Sequence, residues 1–357
     1  MTLDGPRGAG NSMEAAHPAA HALYPRRMVR WLKRAGMVLG VLGVLAAGVL
    51  VYVRYDRPSL EPYQGQLLPP AEAGSRGLRV TFLGVATVLF DDGETALLTD
   101  GFFSRPGVVR TLFTRLEPDR KTVVESLKRA GIRELAGVIV GHSHYDHSLD
   151  SPLVAHLTNA VLVGSESTAN IGRGYGLLED NLLVPREGEP LRFGRFTVTL
   201  LRSRHSASPA PVAGDISQPL RPPARSDAFL EGGTWSVLIE HEGRTMLVQG
   251  SAGFVEGALE GRHADVVFLG IGALGKQDAT YRETYWREVV RAVGARRVIP
   301  IHWDDFWRPL DAPLVPMPRL FDSFDASMAF VNEQGRAEGV DVRFAPVWEP
   351  VDPFTGL

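Results

Sequence analysis

The sequence of 357 residues contains no cysteine. The chain therefore offers no disulfide bond, no thiolate nucleophile and no thiolate ligand, so any metal must be held by histidine, carboxylate or other oxygen donors. An excess of one charge is also missing, because the formal net charge is only -3 at pH 7, which gives no reason to expect a nucleic-acid-binding surface. With 44% hydrophobic and 22% charged residues, the composition is that of an ordinary globular protein.

Long apolar runs are scarce, and one stands out at residues 35–53 (AGMVLGVLGVLAAGVLVYV). At about 1.5 Å per helical residue, this uncharged run is just long enough to cross a hydrocarbon core of roughly 30 Å. It is preceded by a group of basic residues: Arg26, Arg27, Arg30, Lys33 and Arg34. The positive-inside bias therefore predicts a single-pass membrane protein with a cytoplasmic N-terminus and the bulk of the chain on the non-cytoplasmic side. A cleaved signal peptide is the competing interpretation. A buried core helix is disfavoured, because every face is apolar and both ends are basic.

The rest of the chain divides by composition. Residues 1–34 predict a cytoplasmic disordered tail, residues 35–53 a transmembrane anchor and residues 54–77 a linker containing several prolines and glycines. Residues 78–357 predict one α/β domain, because strand patterns come first and then alternate with helical patterns, without an obvious domain linker. One such strand is expected at residues 193–200. The Pro-rich segment 206–228 is a long loop, which predicts a lid, a binding loop or a disordered segment.

Potential metal ligands concentrate in the segment GHSHYDH at residues 141–147. It follows an apolar stretch at residues 135–140, which predicts a buried strand, so the segment is the loop that leaves this strand. His142 and His144 alternate as an extended backbone requires if both rings face one cavity. Asp146 and His147 can turn toward a second point close by, so the loop predicts a two-metal site.

Two more histidines, His205 and His302, follow predicted strands elsewhere in the chain. They complete two sets of three ligands, which are His142, His144 and His205, and Asp146, His147 and His302. Nitrogen and carboxylate donors without thiolate suit zinc, with two ions expected and iron or manganese as alternatives. The remaining histidines of the domain have no cluster of potential metal ligands near them in the sequence and are expected to be structural or solvated: His156, His241 and His263.

The pattern His142-x-His144-x-Asp146-His147, followed by two later histidines that each come after a strand, resembles the metallo-β-lactamase-fold hydrolases over most of residues 78–344. Segments 83–89, 98–100, 144–147 and 235–238 resemble the branch that includes N-acylphosphatidylethanolamine-type phospholipase D and the ascorbate-phosphate lactonases. The resemblance implies an αββα sandwich with the metals at one edge, between the sheets. It also implies that Asp100 orients a ligand histidine, although Asp100 could simply be a turn residue.

Two positions depart from the resembled pattern. Ser251 stands where most members of the fold place an aspartate that bridges the two metals, and Val85 stands where members of the branch often carry histidine. The first departure implies that the second ion depends on three ligands alone. The second puts a substrate contact in doubt but not the metals.

These features predict a membrane-anchored hydrolase in which a metal-held hydroxide attacks an ester, lactone, amide or phosphodiester in a small-molecule or lipid substrate. Asp146 is the predicted catalytic residue, which orients the nucleophile and moves its proton. Asp304 and Asp305 could line the mouth of the site or cap a helix. The alternative, motivated by Ser251, is a degenerate metal- or partner-binding domain without turnover. Nuclease action fits poorly with the external location and the acidic balance.

Overall fold

The computed structural model of the chain describes residues 26–72, 77–207 and 212–357. The chain divides into two compact units between Tyr52 and Val53. Residues 1–25 of the predicted tail lie outside the described residues.

The first helix, α1 (Arg26–Tyr55), contains the long apolar run. Its segment Arg27–Val49 has a mean hydropathy of 1.6 and contains no buried residue, so length and composition make it a candidate membrane span or a signal sequence. The helix begins earlier than the predicted span, because residues 26–34, which we assigned to the tail, are helical. This segment is rich in Arg, Leu, Lys and Met, which favour the helix.

The second unit contains two large sheets and a small one. Its strands are β1 (Arg79–Phe82), β2 (Val88–Asp91), β3 (Ala96–Thr99), β4 (Arg115–Leu116), β5 (Gly137–Ile139), β6 (Val161–Val163), β7 (Leu182–Leu183), β8 (Pro190–Phe193), β9 (Phe196–Ser203), β10 (Ala224–Arg225), β11 (Thr234–His241), β12 (Arg244–Gln249), β13 (Val266–Gly270), β14 (Arg297–Ile301), β15 (Asp341–Val342) and β16 (Pro350–Val351). Its helices are α2 (Val108–Phe113), α3 (Arg120–Arg129), α4 (Tyr145–Ser148), α5 (Ser151–Thr158), α6 (Glu166–Tyr175), α7 (Ala279–Trp286), continued by a π-helical turn at Arg287–Arg291, and α8 (Phe324–Glu338).

The two seven-stranded sheets pack face to face. The first has the order β16-β1-β2-β3-β5-β6-β7 and the second the order β15-β14-β13-β12-β11-β9-β8. Phe90 on β2 and Phe268 on β13 meet edge to face at 5.7 Å between ring centroids, within a buried apolar core that both sheets share. Helix α5 contacts β5 and β6, while α8 contacts β15. Helices thus cover the outer faces, and the predicted αββα fold class is confirmed.

The strand predicted at residues 193–200 is a hairpin instead. Strand β8 ends at Phe193 and β9 begins at Phe196, and the two strands pair antiparallel. Gly194 in the turn has φ +53, a left-handed conformation that glycine adopts without a Cβ clash. The turn therefore interrupts an otherwise continuous β-rich sequence.

The segment predicted as a linker at residues 54–77 belongs to the second unit, and its described part makes several contacts with the rest of that unit. The Leu68 amide donates to the Phe344 carbonyl at 2.8 Å, and the Ala71 amide donates to the Pro350 carbonyl at 2.7 Å. Tyr63 meets Phe324 edge to face at 5.6 Å. Backbone hydrogen bonds and a ring contact thus attach the described part of the segment to the domain.

Candidate metal centre

The candidate ligands lie where several strands end at one edge of the sandwich. The loop at residues 141–147 follows β5, His205 follows β9, and His302 follows β14 directly. Asp100 follows β3, and Ser251 comes two residues after β12. Because the strand ends meet at this edge, side chains that are far apart in sequence converge there.

The structure brings the residues of the first predicted ligand set close together. One ligand atom from each of His142, His144 and His205 lies within 4.8 Å of the others. His144 donates from Nε2 to the Val212 carbonyl at 3.2 Å, which leaves Nδ1 as its lone-pair nitrogen. His205 donates from Nδ1 to the Ser206 carbonyl at 2.9 Å, which leaves Nε2. Backbone carbonyls thus fix which nitrogen of each ring can act as a ligand.

The second predicted set is assembled beside the first. One ligand atom from each of Asp146, His147 and His302 lies within 4.8 Å of the others. The Asp146 Oδ2 atom lies 3.6 Å from His302 Nε2 and 3.7 Å from His147 Nε2. The ring centroids of His142 and His147 are 3.8 Å apart, so the two sets are direct neighbours.

A divalent metal fits these donors. Both ring nitrogens of His142 are buried and have no hydrogen-bond partner among the described residues. An unpaired buried polar group costs free energy, so these nitrogens, which lie beside other histidines, are free to take a metal as their partner. The Nε2 atoms of His147 and His302 approach to 3.2 Å, as convergent ligands do.

The electrostatics favour neutral imidazole in the first set. Burial lowers the pKa of His142 well below its ordinary value, and the neighbouring His147 and His144 lower it further. Burial likewise lowers the pKa of His144, and it lowers the pKa of His205 to about 4. Neutral imidazole is the form that coordinates a metal.

The second set includes two charge-stabilised groups. Burial acts to lower the pKa of His147, but the carboxylates of Asp100 and Asp146 raise it above its ordinary value. Burial acts to raise the pKa of Asp146, but His147 and His302 hold that pKa well below the ordinary value. Asp146 is therefore an anionic oxygen donor within this set.

Asp100 lies against the candidate ligand His147. His147 donates from Nδ1 to Asp100 Oδ2 at 2.6 Å, which leaves its Nε2 toward the second set. The Gly141 amide donates to Asp100 Oδ1 at 2.8 Å. One carboxylate thus holds both the ring of His147 and the beginning of the ligand loop. Asp100 has φ +55, a conformation that is uncommon for a residue other than glycine.

Ser251 holds the backbone beside the first set. Its Oγ accepts a hydrogen bond from the Ser206 amide at 2.9 Å. The residue after His205 is thereby fixed to the end of β12. Ser251 also lines the cavity described below.

A buried network supports His302 from behind. Val85 has φ +54, an outlier for a β-branched residue, and His302 has φ +54 as well. The His302 amide donates to the Val85 carbonyl at 2.6 Å, and the Val85 amide donates to Asp304 Oδ1 at 2.7 Å. Arg105 Nη2 lies 2.7 Å from Asp304 Oδ2 in a fully buried ion pair. Val85 therefore contributes its backbone where the resembled branch carries a histidine side chain.

Both ligand sets open on one cavity of about 500 Å³. Its wall combines the ligands with aromatic and apolar side chains from α2, α4, and the loop after His302, among them Leu112, Tyr145, Phe306, Trp307 and Phe321. Trp307 donates from Nε1 to the Tyr145 hydroxyl at 3.1 Å. Of the two aspartates after His302, Asp304 lines this cavity. Asp305 instead accepts the Trp307 amide at 3.1 Å through Oδ1, the local contact of a capping side chain.

The contacts of Val212, Arg105 and Trp307 were missed from the sequence. A carbonyl acceptor such as that of Val212 leaves no sequence signal, because every residue has one. The histidines expected to be structural or solvated stand apart from both ligand sets. His241 is buried and donates to Asp92 at 3.0 Å, His156 is exposed, and the exposed His263 lies 3.3 Å from Asp265.

The chain is similar to known proteins over most of the second unit. A profile of the beta-lactamase superfamily domain matches residues 95–303, more than half of the chain. A metal-dependent hydrolase of Heliobacterium modesticaldum is 24% identical over 240 residues, covering 64% of this chain and 84% of the relative. One of Rubrobacter xylanophilus is 26% identical over 234 residues, covering 64% and 83%. The solved structure of Igni18, a metallo hydrolase from Ignicoccus hospitalis, is 14% identical with a TM-score of 0.49, covering 77% of this chain and 97% of that one. The chain therefore belongs to the beta-lactamase superfamily and has its metallo-β-lactamase fold.

Proposed function

We propose that this protein is a membrane-anchored, metal-dependent hydrolase that cleaves an ester, lactone, amide or phosphodiester in a small-molecule or lipid substrate. The observation that carries the proposal is the presence of two adjacent three-residue ligand sets on the wall of one cavity. The relatives named metal-dependent hydrolases support the reaction class. The narrower resemblance to the branch with N-acylphosphatidylethanolamine-type phospholipase D remains a prediction.

The six ligands divide between two ions: His142, His144 and His205 would hold one, and Asp146, His147 and His302 the other. Their nitrogen and oxygen donors favour zinc, with iron or manganese as alternatives. When bound, such ions act as Lewis acids toward a carbonyl or phosphoryl oxygen and lower the pKa of water.

Asp146 is the residue that we assign to proton transfer. Its carboxylate is mostly buried, lines the cavity, and lies within 4 Å of the Nε2 atoms of His147 and His302. In this position it can orient an attacking water molecule and help to move its proton. Trp307 and Phe321 wall the same cavity, where they would hold an apolar part of the substrate and exclude bulk water.

The membrane anchor is part of the proposal. Helix α1 has the length and composition of a span, and the basic residues at its N-terminal end favour a domain on the non-cytoplasmic side. N-terminal sequencing of the purified protein distinguishes a retained membrane anchor from a cleaved signal peptide. An intact N-terminus supports the anchor, whereas an N-terminus beyond residue 53 supports a cleaved signal.

The test uses the full chain in detergent micelles, loaded with zinc, against chromogenic ester, lactone, β-lactam and phosphodiester substrates. We expect turnover of at least one class and its loss, by about 100-fold or more, in His142→Ala, because a ligand is removed from the metal centre. The matched control is His156→Ala, which removes an exposed histidine outside both sets. Full activity of His142→Ala would contradict the proposal. Metal binding without turnover of any class would favour the degenerate binding domain.

A further inference from the structure

The loop that follows His302 forms much of the cavity wall. Between residues 303 and 321 it contributes Trp303, Phe306, Trp307, Met317 and Phe321 to the cavity. The loop doubles back on itself, because the Asp305 amide donates to the Val315 carbonyl and the Met317 amide donates to the Trp303 carbonyl. The outgoing and returning arms of this loop must stay together for the aromatic wall to keep its shape.

Arg57 links the two arms of this loop, residues 303–321, which we call the wall loop. Its Nη1 donates to Asp305 Oδ2 on the outgoing arm at 2.7 Å and to the Pro316 carbonyl on the returning arm at 3.2 Å. The ion pair is well shielded from solvent, since the side chains of Arg57 and Asp305 are 18% and 4% exposed. Removing one partner of a shielded pair costs more than removing one partner of a surface pair, because the other charge is left buried without compensation.

The preceding residue makes a second attachment to the returning arm. The Arg319 amide donates to the Asp56 carbonyl at 3.1 Å, and Arg319 Nη1 donates to Asp56 Oδ1 at 3.1 Å. Asp56 and Arg57 come directly after the end of α1 at Tyr55. The first residues after the helix are therefore fastened across both arms of the cavity wall.

We infer that Arg57 is a positioning residue that keeps the wall loop closed against the cavity, so that the segment leaving α1 takes part in substrate binding. The inference rests on the proposed function for its kinetic consequence. Arg57 touches neither ligand set, so its effect should fall on the binding of the apolar part of the substrate and not on the metals. Loss of an interaction that binds substrate and transition state equally raises KM and leaves kcat unchanged.

The variants separate the contact from the fold. Arg57→Gln removes the charge and keeps most of the side chain, while Arg57→Lys keeps a cation. Because the single nitrogen Nη1 makes both contacts, the ammonium group of lysine, which has three donors, can replace it. Arg79→Gln is the matched control. It breaks an ion pair of the same length, 2.7 Å, between Arg79 on β1 and Asp91 on β2. Asp305→Asn removes the charge of the other partner of the same ion pair, and it replaces Arg57→Gln in the test if that variant fails to fold.

The kinetic assay compares acetyl and octanoyl p-nitrophenyl esters with the zinc-loaded full chain in detergent micelles. For Arg57→Gln we expect KM for the octanoyl ester to rise about tenfold while kcat stays within about threefold, as for a misplaced binding wall. Asp305→Asn should behave in the same way, Arg57→Lys should recover most of the loss, and the metal content should match the wild type in all variants.

A structural readout accompanies the kinetics and does not depend on turnover. Backbone hydrogen exchange, followed by mass spectrometry over residues 303–321, should accelerate at least about tenfold in Arg57→Gln and stay unchanged in Arg79→Gln. The inference is overturned if Arg57→Gln matches Arg79→Gln in exchange, or if Arg57→Lys is as impaired as Arg57→Gln. If the wild type hydrolyses neither ester, this arm of the proposed function has failed, and the exchange comparison alone decides whether Arg57 holds the loop.

Discussion

Replacing Asp100 with asparagine should weaken one candidate metal site and leave the other intact. The carboxylate accepts the Gly141 amide through Oδ1 and the His147 Nδ1–H through Oδ2. Asparagine has nearly the same shape, and its carbonyl oxygen can still accept the Gly141 amide. Its NH2 group then faces His147 Nδ1 with a donor in place of an acceptor. The ring is driven toward the tautomer that carries its proton on Nε2, the nitrogen that points to the second ligand set.

The magnitude follows from this change of tautomer. Loss of a partner that orients a ligand histidine costs about 10–100-fold in metal affinity, which corresponds to about 1.4–2.8 kcal/mol. The loss should be confined to the set of Asp146, His147 and His302. The set of His142, His144 and His205 should keep its affinity, because Asp100 makes its side-chain hydrogen bonds, within the part of the chain that the structure describes, to Gly141 and His147.

Zinc titration of the chelator-stripped chain by calorimetry measures both sites. The matched control is Asp265→Asn, which alters another Asp–His pair outside the cavity. In that pair His263 Nε2 lies 3.3 Å from Asp265 Oδ1. We expect one binding step to weaken in Asp100→Asn and neither to weaken in Asp265→Asn. Wild-type affinity at both steps in Asp100→Asn would refute the assignment of Asp100 as the residue that orients His147.

Two further predictions concern stability. Burial acts to raise the pKa of Asp92, but two turn amides, His241 and Arg195 lower it to about 2. A folded-state pKa below the unfolded value stabilises the fold above about pH 4, and this contribution is lost as the pH falls toward 2. Urea unfolding should therefore show Asp92→Asn about 2 kcal/mol less stable than the wild type at pH 7, with the difference shrinking below pH 4; a constant difference would contradict the account. Ser251→Ala leaves the Ser206 amide unpaired, so we expect a loss of about 1 kcal/mol and faster exchange of that amide. Unchanged exchange would show that Ser251 does not hold the loop.

The fold could be predicted largely because its signals are local. The apolar stretch before His142 encodes a strand, and the close spacing of the ligands through His147 marks the loop after it. His205 and His302 each follow a strand, so the meeting of strand ends brings them to the same edge. The metallo-β-lactamase fold is confirmed, while the roles of the six ligands remain predictions that the geometry supports.

The rest depends on contacts between distant parts of the chain. Arg57 and Asp305 are 248 positions apart, so their ion pair leaves no local signal in the sequence. The prolines and glycines of residues 54–77 predict a free linker as readily as a segment packed on the domain. The turn at Gly194 divides a continuous β-rich pattern, which sequence periodicity alone does not reveal. The supporting contact of Val212 with His144 uses a backbone carbonyl and so has no residue signature.

Metal content of the purified full-length protein tests the central claim most directly. After zinc loading and removal of free metal, elemental analysis should give two equivalents per chain in the wild type. His302→Ala should retain one, because it removes a ligand from only one of the two sets. Two equivalents in the wild type and one in His302→Ala are the result that the account predicts. One equivalent or none in the wild type would contradict a two-metal centre.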